Sequence, residues 1–294
     1  METLIECPVC GSNEFQTILS CTDFLVSQKQ FSIQKCRNCD FELTNPRPDA
    51  ASIGAYYQSE QYISHSDTKQ GLMSQLYHAV RNVTLKQKVK LIDSLKSDRG
   101  WLLDIGCGSG YFLAAAHENG WQIQGVEPNE NARTATQKLT GAYVSESVEA
   151  LPDSRSYDVI TMWHVLEHVH ELSKTMQWLN DHCRKNGYLI IAVPNHRSWD
   201  ADRYKHLWAA YDVPRHLYHF SQDSMQRLLD AYGFRLIGQK PMLFDAFYVN
   251  LLSTRYRDGQ PAYIESFLNG VRSNWSAYRN GGDYSSLIYI ATHK

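Results

Sequence analysis

Leu102-Leu103-Asp104-Ile105-Gly106-Cys107-Gly108-Ser109-Gly110 is the stretch from which the rest of the chain can be read. Its first half is a short apolar run with a carboxylate, and its second half has glycine at every other position. A buried strand turns into a helix around a ligand in this way, because glycine lets backbone approach where a Cβ would stand in the way. Downstream, Gln122 to Glu127 reads as a second strand, ending on an acid placed to accept both hydroxyls of a ribose. A nicotinamide-binding turn wants a small residue at position 111. Tyr111 stands there, and the third glycine comes one place early, at Gly110.

Beyond Glu127 strands and helices alternate. Asn129–Leu139 reads as a helix, a weak strand lies near Tyr143, Tyr157–Trp163 is a strand, Leu172–Cys183 a helix and Gly187–Val193 a strand. Ser221–Tyr232 reads as a helix capped by Ser221 and stopped by Gly233, with Phe234–Lys240 and Ser286–Thr292 as strands. This alternation predicts an α/β fold with a mostly parallel sheet and helices on both faces. Pro241–Tyr284 is too long for a bare loop, so it predicts a helical insert at about 241–284, read here as a lid over an acceptor.

Four segments, in order and spacing, resemble the class I S-adenosylmethionine (SAM)-dependent methyltransferases. They are Leu102–Gly110, Gly125-Val126-Glu127-Pro128, Ser147-Val148-Glu149-Ala150-Leu151-Pro152 and Tyr157–Val169. The resemblance covers Gly100–Leu236, with Ser286–Thr292 as a last strand, and is closest to the small-molecule branch that includes ubiquinone-pathway O-methyltransferases. It implies a Rossmann-like class I methyltransferase sheet, SAM as cofactor and methyl transfer as the reaction. It further implies that Asp104, Gly106 and Gly108 line the methionine moiety, with Cys107 and Gly110 in the same turn. Glu127 would hold the ribose, with Pro128 beside it, and Ser147 and Val148 would lie by the adenine. The acidic residue common in the family at position 147 is replaced by Ser147. Met162, Trp163 and His164 would close over the sulfonium.

The donor in such a reaction is already activated, so the protein aligns two reactants and takes a proton from the acceptor. Histidine suits that task. His164-Val165-Leu166-Glu167-His168 follows the Tyr157–Trp163 strand, and Tyr211-Asp212-Val213-Pro214-Arg215-His216-Leu217-Tyr218-His219 follows the next. Three readings stay open: His164, His168 or His216 as general base; His164, Glu167, His168 and His216 around a divalent cation; or a purely structural helix start. Related ubiquinone and RNA-end 2′-O-methyltransferases carry Glu-x-x-Glu-His and a later His, whereas His164 replaces the first Glu here. The literal match of His164–His168 to inverted zinc peptidases is set aside, because it directly follows a strand. Arg215 either staples Asp212 or reaches an anionic substrate group.

The N-terminal region has its own signature. Cys7/Cys10 and Cys36/Cys39 form two Cys-x-x-Cys knuckles, the spacing that brings four thiolates to a tetrahedral Zn²⁺ and leaves no open position for substrate. Phe15–Leu19 and Gln30–Lys35 would be the short strands of a zinc ribbon. Residues 1–45 are thus read as a four-cysteine zinc ribbon with a structural zinc, and 99–294 as the methyltransferase domain. Residues 46–98 are read as a helical linker or cap. Asp49 is a cap candidate, and helical spacing runs from Leu72 and Leu76 to Ile92. Tyr56, Tyr62 and His65 are candidates to cap the SAM pocket, with Tyr56 read as packing under the long helix. Cys21, Cys107 and Cys183 read as reduced thiols.

The 294 residues carry 29 Lys plus Arg against 31 Asp plus Glu, a net charge of −2. That weighs against bulk nucleic acid or an anionic membrane as main partner. The longest apolar run, Tyr188–Val193, is too short to span a bilayer, and no signal pattern opens the chain, so it reads as cytoplasmic. Asn/Asp-Pro-Pro-aromatic, the mark of amino-directed methyltransferases, is replaced by Thr161-Met162-Trp163-His164. Zinc knuckles ahead of SAM domains occur in sugar C-methyltransferases and in a ribosomal RNA guanine methyltransferase group. The expected partner is a small-molecule or glycan-precursor acceptor: a sugar, phenolic or anionic metabolite. An rRNA/tRNA methyltransferase docking RNA through the ribbon, and a SAM-binding scaffold without turnover, are the alternatives.

Overall fold

The computed structural model describes residues 1–57, 72–152 and 155–294; Tyr62 and His65, and the side chains of Leu72 and Leu76, lie outside the described residues. The chain opens with β1 (Phe15–Thr22), β2 (Gln30–Cys36) and β3 (Glu42–Thr44). Asp49 then caps a 3₁₀ turn, Ile53–Tyr57, through its Oδ1 and the Ser52 amide at 3.0 Å. One helix, α1 (Leu72–Leu95), covers the region read as one or two helices.

The alternating part follows as β4 (Trp101–Ile105), α2 (Tyr111–Glu118), β5 (Gln122–Val126), α3 (Glu130–Thr140), β6 (Val144–Ser145), β7 (Tyr157–Trp163), α4 (Leu172–His182) and β8 (Cys183–Pro194). After α5 (Trp199–Tyr204) come β9 (Tyr218–His219), α6 (Gln222–Ala231), β10 (Phe234–Pro241), α7 (Asp245–Asp258), α8 (Tyr263–Arg279) and β11 (Ser286–His293). Ser221 caps α6 as expected, accepting from the Ser224 amide, and Gly233 stops it with φ 79°. One boundary is corrected: β8 begins at Cys183, not Gly187, because Cys183 already pairs with Tyr157 ahead of a bulge at Tyr157/Val159.

Seven strands form one sheet in the order β10-β11-β8-β7-β4-β5-β6. β4 to β8 run parallel, and β11 lies antiparallel between β8 and β10. From β4 the chain moves outward to β5 and β6, then returns to the other side with β7 and β8. The strand order reverses between β4 and β7, and the crevice outside their carboxyl ends is where open α/β sheets take ligands. Both faces are packed. Leu103, Ile160, Met176 and Leu228 share one buried cluster, and Leu102, Leu113, Val159 and Ile92 share the other.

The N-terminal strands do not stand apart from this core. β3 pairs antiparallel with β9, making a four-stranded sheet β1-β2-β3-β9 whose last strand comes from the segment after β8. Phe41 and Leu43 of the ribbon pack in the same cluster as Leu103 and Ile160. Tyr56, read from the sequence as packing under the long helix, meets Phe31 of the ribbon edge-on at 5.8 Å. No helix of the described residues is long and apolar enough to cross a membrane.

Candidate active site

The glycine turn between β4 and α2 is held open on one side. Gly106, Gly108 and Gly110 all have positive φ (70°, 54° and 77°), the region where side chains are disfavoured. A Cβ on Gly106 would strike Val165 at 2.4 Å and one on Gly110 would strike Thr136, so these two allow tight packing of neighbours. A Cβ on Gly108 would meet nothing within 4 Å: this glycine faces open space, where a ligand can approach backbone. The Cys107 thiol lies over Gly125, beside Leu113, and burial pushes its pKa up, so only the Cys107 backbone can face a ligand.

Glu127 closes the cradle. Its Oε2 accepts from the Gly108 amide and its Oε1 from the Asn129 amide, both at 2.9 Å, while Arg133 holds the carbonyls of Glu127 and Pro128. Asp104 sits beneath, 2% exposed, accepting from the Thr161 hydroxyl at 2.6 Å. Burial raises its pKa to about 7, against the pull of that hydrogen bond and of Lys88. Ser147 and Val148, half-buried, follow β6 at the same edge of the sheet.

Over β7, Trp163 meets Phe112 edge-on at 5.5 Å and carries the Lys88 ammonium 4.2 Å above its ring centroid. Burial lowers the Lys88 pKa, with Asp104 and Asp245 opposing. Lys88 was not among the residues expected here. Its signal was a lysine on the α1 face shared by Leu85, Val89 and Ile92. Met162, expected to close over the sulfonium, has its side chain fully buried in the cluster with Leu103 and Ile191.

His164 has φ 57° and is gripped at both ring nitrogens, Nδ1 to Glu167 Oε1 at 3.3 Å and Nε2 to Asp245 Oδ2 at 2.9 Å. Burial alone would lower its pKa, but the two carboxylates raise it to about 10. The imidazole is therefore a cation near neutral pH and cannot take a proton there. His168 and His216 differ. Their Nδ1 atoms face the carbonyl oxygens of Arg215 at 3.0 Å and Ala210 at 2.9 Å, which only accept, so each Nδ1 carries a proton. The rings meet edge-on at 4.6 Å, and burial together with His216 lowers the His168 pKa to about 4. Tyr57, also outside the expected set, places its hydroxyl 2.9 Å from His168 Nδ1.

Glu167, His168 and His216 offer three ligand atoms within 4.8 Å of one another. Glu167 is wholly buried and its Oε2 has no hydrogen-bond partner among the described residues, a condition that suits a carboxylate oxygen facing a cation. His164, taken up by Asp245, falls outside this group. Arg215 is 1% exposed, clamping Asp212 with Nε and Nη2 at 3.0 and 2.6 Å and reaching Asp23 at 3.1 Å. It is a staple; a group so enclosed does not reach an anionic substrate.

The four cysteines converge as their spacing predicts, Cys7 and Cys39 Sγ at 3.5 Å and Cys10 and Cys36 Sγ at 3.6 Å. A tetrahedral Zn²⁺ with Zn–S bonds of ~2.3 Å requires sulfurs about 3.8 Å apart. The two knuckles match in backbone. Gly11 and Asp40 follow the last cysteine of each with φ 73° and 60°, and their amides return to the carbonyls of Cys7 and Cys36. Cys21, Cys107 and Cys183 are free and buried.

An open sheet with a glycine turn, an acid after the second strand and a site at the β4/β7 reversal defines a protein of the nucleotide-cofactor-binding α/β class. A family model described as a methyltransferase domain matches residues 77–239, more than half of the chain, and the chain belongs to that family. It is similar to ubiquinone biosynthesis O-methyltransferases of Rickettsia canadensis (30% identity over 128 residues, 41% of this chain and 54% of the relative) and Rickettsia typhi (30% over 147, 45% and 57%). The chain spans about half the length of the curated relatives it matches. In fold it resembles the magnesium protoporphyrin IX methyltransferase from Synechocystis PCC 6803 with bound SAH. There the TM-score is 0.56 at 14% identity, covering 84% of this chain and 100% of that one. The sheet is that of the class I methyltransferases, preceded by the four-cysteine cluster.

Proposed function

We propose that this protein transfers a methyl group from SAM to a hydroxyl of a small-molecule or glycan-precursor acceptor. The observation that carries it is one edge of one sheet. The open Gly108 cradle and the Glu127 carboxylate follow β4 and β5, the Trp163 face ends β7, and His168 and His216 lie in the segments that follow β7 and β8. SAM, when bound, supplies a methyl group on a cationic sulfonium. Asp104, Gly106 and Gly108 would line its methionine part, Glu127 its ribose, and Ser147 and Val148 its adenine. Trp163 already holds a cation on its ring, which suits a sulfonium. The acceptor proton goes to His168 or His216, since His164 is already protonated. The relatives' name, O-methyl transfer in ubiquinone biosynthesis, favours an oxygen acceptor. The four cysteines hold a structural Zn²⁺ in a ribbon of residues 1–45, with 46–98 as helical cap and 99–294 as catalytic domain.

A second reading has its own observation, the unpartnered Oε2 of Glu167 in a residue whose carboxylate groups with His168 and His216. These three would hold a divalent ion that orients the acceptor oxygen and lowers its pKa. Incubation of zinc-loaded protein with SAM and a panel of catechols, phenols, nucleotide sugars and RNA, with and without added Mg²⁺ or Mn²⁺, separates the possibilities. Methylation of a small molecule, lost in His216→Ala, is expected. Stimulation by the added ion would select the metal reading, and methylation of RNA alone would select the ribbon-docked RNA enzyme. SAM binding with no turnover on any class would leave a scaffold.

A further inference from the structure

Helix α8 is built inside out. The face it turns to the protein is small and polar: Ser266, Asn269, Gly270, Ser273 and Ala277 are buried. The polar ones make hydrogen bonds inward, Ser266 with Thr254, Asn269 Nδ2 with the Tyr204 hydroxyl and Ser273 with Asp200. The face it turns outward is large and apolar. Ile264 is 80% exposed, Phe267 59%, Trp275 60% and Tyr278 75%, with Leu268 and Val271 nearly half exposed. An amphipathic helix ordinarily buries its apolar stripe, so the stripe on α8 is set for contact outside this chain.

What would cover it follows from area and charge. Side chains of this size carry ~200 Å² each, so at their exposures the six residues of the α8 stripe present on the order of 750 Å², above a typical monomer patch. A stable protein interface needs about 800 Å² per partner, rich in aromatics with arginine at its rim. Arg272 and Arg279 flank the stripe. A helix that lies in a membrane surface carries a lysine- and arginine-rich polar face, whereas the opposite face of α8 is buried on serine and asparagine. The net charge of −2 adds no attraction to anionic lipid. The stripe is also self-complementary. Counted from Val271, Phe267 and Trp275 lie four residues either way, and Ile264 and Tyr278 seven, the 3–4 spacing of a helix-pairing seam.

We infer that α8 is a homodimer interface, in which two copies of the chain pair antiparallel along Ile264–Tyr278 about a two-fold axis beside Val271. Isologous pairing sets Ile264 against Tyr278 of the partner subunit and Phe267 against Trp275 of the partner subunit. The dimer braces the α7–α8 hairpin, whose Asp245 reaches His164. This inference does not depend on the methyltransferase reading.

Sedimentation velocity of the full zinc-loaded chain at micromolar concentration tests it. The expected species has twice the 33.8 kDa chain mass, and a Phe267→Glu/Trp275→Glu variant sediments as the single chain with an unchanged far-ultraviolet spectrum. Val271→Cys, oxidised with diamide, should give a covalent chain dimer that the wild type does not; this readout stands even if the double variant fails to fold. A wild type that stays monomeric, a dimer that survives the double substitution, or no Val271→Cys cross-link overturns the proposal. So does a monomer that co-sediments with phosphatidylcholine/phosphatidylglycerol vesicles, which would hand the stripe to a membrane.

Discussion

His164 Nε2 lies 2.9 Å from Asp245 Oδ2, a contact between the end of β7 and the first turn of α7, 81 residues on. With Glu167 on the other ring nitrogen, it turns the histidine that follows β7 from a candidate base into a paired cation. The arrangement also ties the helical insert to the site, which is the contact a lid would need.

Substituting Asp245→Asn should lower both the His164 pKa and the stability of the fold. The sign follows from linkage. A histidine raised from 6.5 to about 10 contributes stability that is fully present below pH 6.5 and lost as pH rises through about 10. The melting-temperature gap between wild type and Asp245→Asn should therefore be widest at pH 6 and close by about pH 10.5. Calorimetry across that range checks it; a gap that stays constant would mean His164 is not a paired cation.

Glu127→Ala should weaken SAM binding by about 100-fold, the loss of two charge-assisted hydrogen bonds at ~1.5 kcal/mol each. Isothermal titration measures it directly. Because Glu127 also ties Gly108 to Asn129, a melting curve of the variant should accompany the titration. Wild-type affinity in the variant would move the ribose site elsewhere.

What could be read in advance divides along physical lines. Leu102–Gly110, Glu127, the alternation from β4 to β8 and the twin knuckles are local patterns. Period, glycine placement and cysteine spacing are imposed by the element itself, so sequence alone shows them. Lys88, Asp245 and Tyr57 reach the site from separate parts of the chain, and a contact between distant segments leaves no periodic trace. The burial of Met162 is hidden for a related reason. Alternation along β7 says that neighbours face opposite ways, but which face meets the crevice depends on packing against Ile191 and Leu103. The join between β3 and β9 was likewise invisible, because a two-residue strand has no pattern of its own.

Arg215 is the most consequential buried charge outside the candidate site. It lies between Asp23 of the ribbon and Asp212 of the histidine loop, with Asp23 0% exposed. Arg215→Met would leave two carboxylates without their cation, and breaking such a pair costs about 3–5 kcal/mol. Denaturant unfolding should show that loss, with Asp23→Asn/Arg215→Met recovering part of it. A loss below 1 kcal/mol would show that water replaces the guanidinium.

The four-cysteine cluster bears on the proposed chemistry through one short path. The Thr44 hydroxyl, at the end of β3, donates to the His216 carbonyl at 2.7 Å, and the Thr44 amide donates to Leu217. Cys36 ends β2, which pairs with β3, whereas the glycine cradle and Glu127 draw their hydrogen bonds from β5, α3 and the turns beside them. Cys36→Ser should release the metal, shift His216 and lower methyl transfer by about 100-fold, the scale of a one-ångström misplacement. SAM affinity should change little. Metal analysis, turnover and SAM titration on the same preparation check the three parts. Equal losses of SAM binding and turnover would mean that the ribbon supports the whole fold and not the histidine loop.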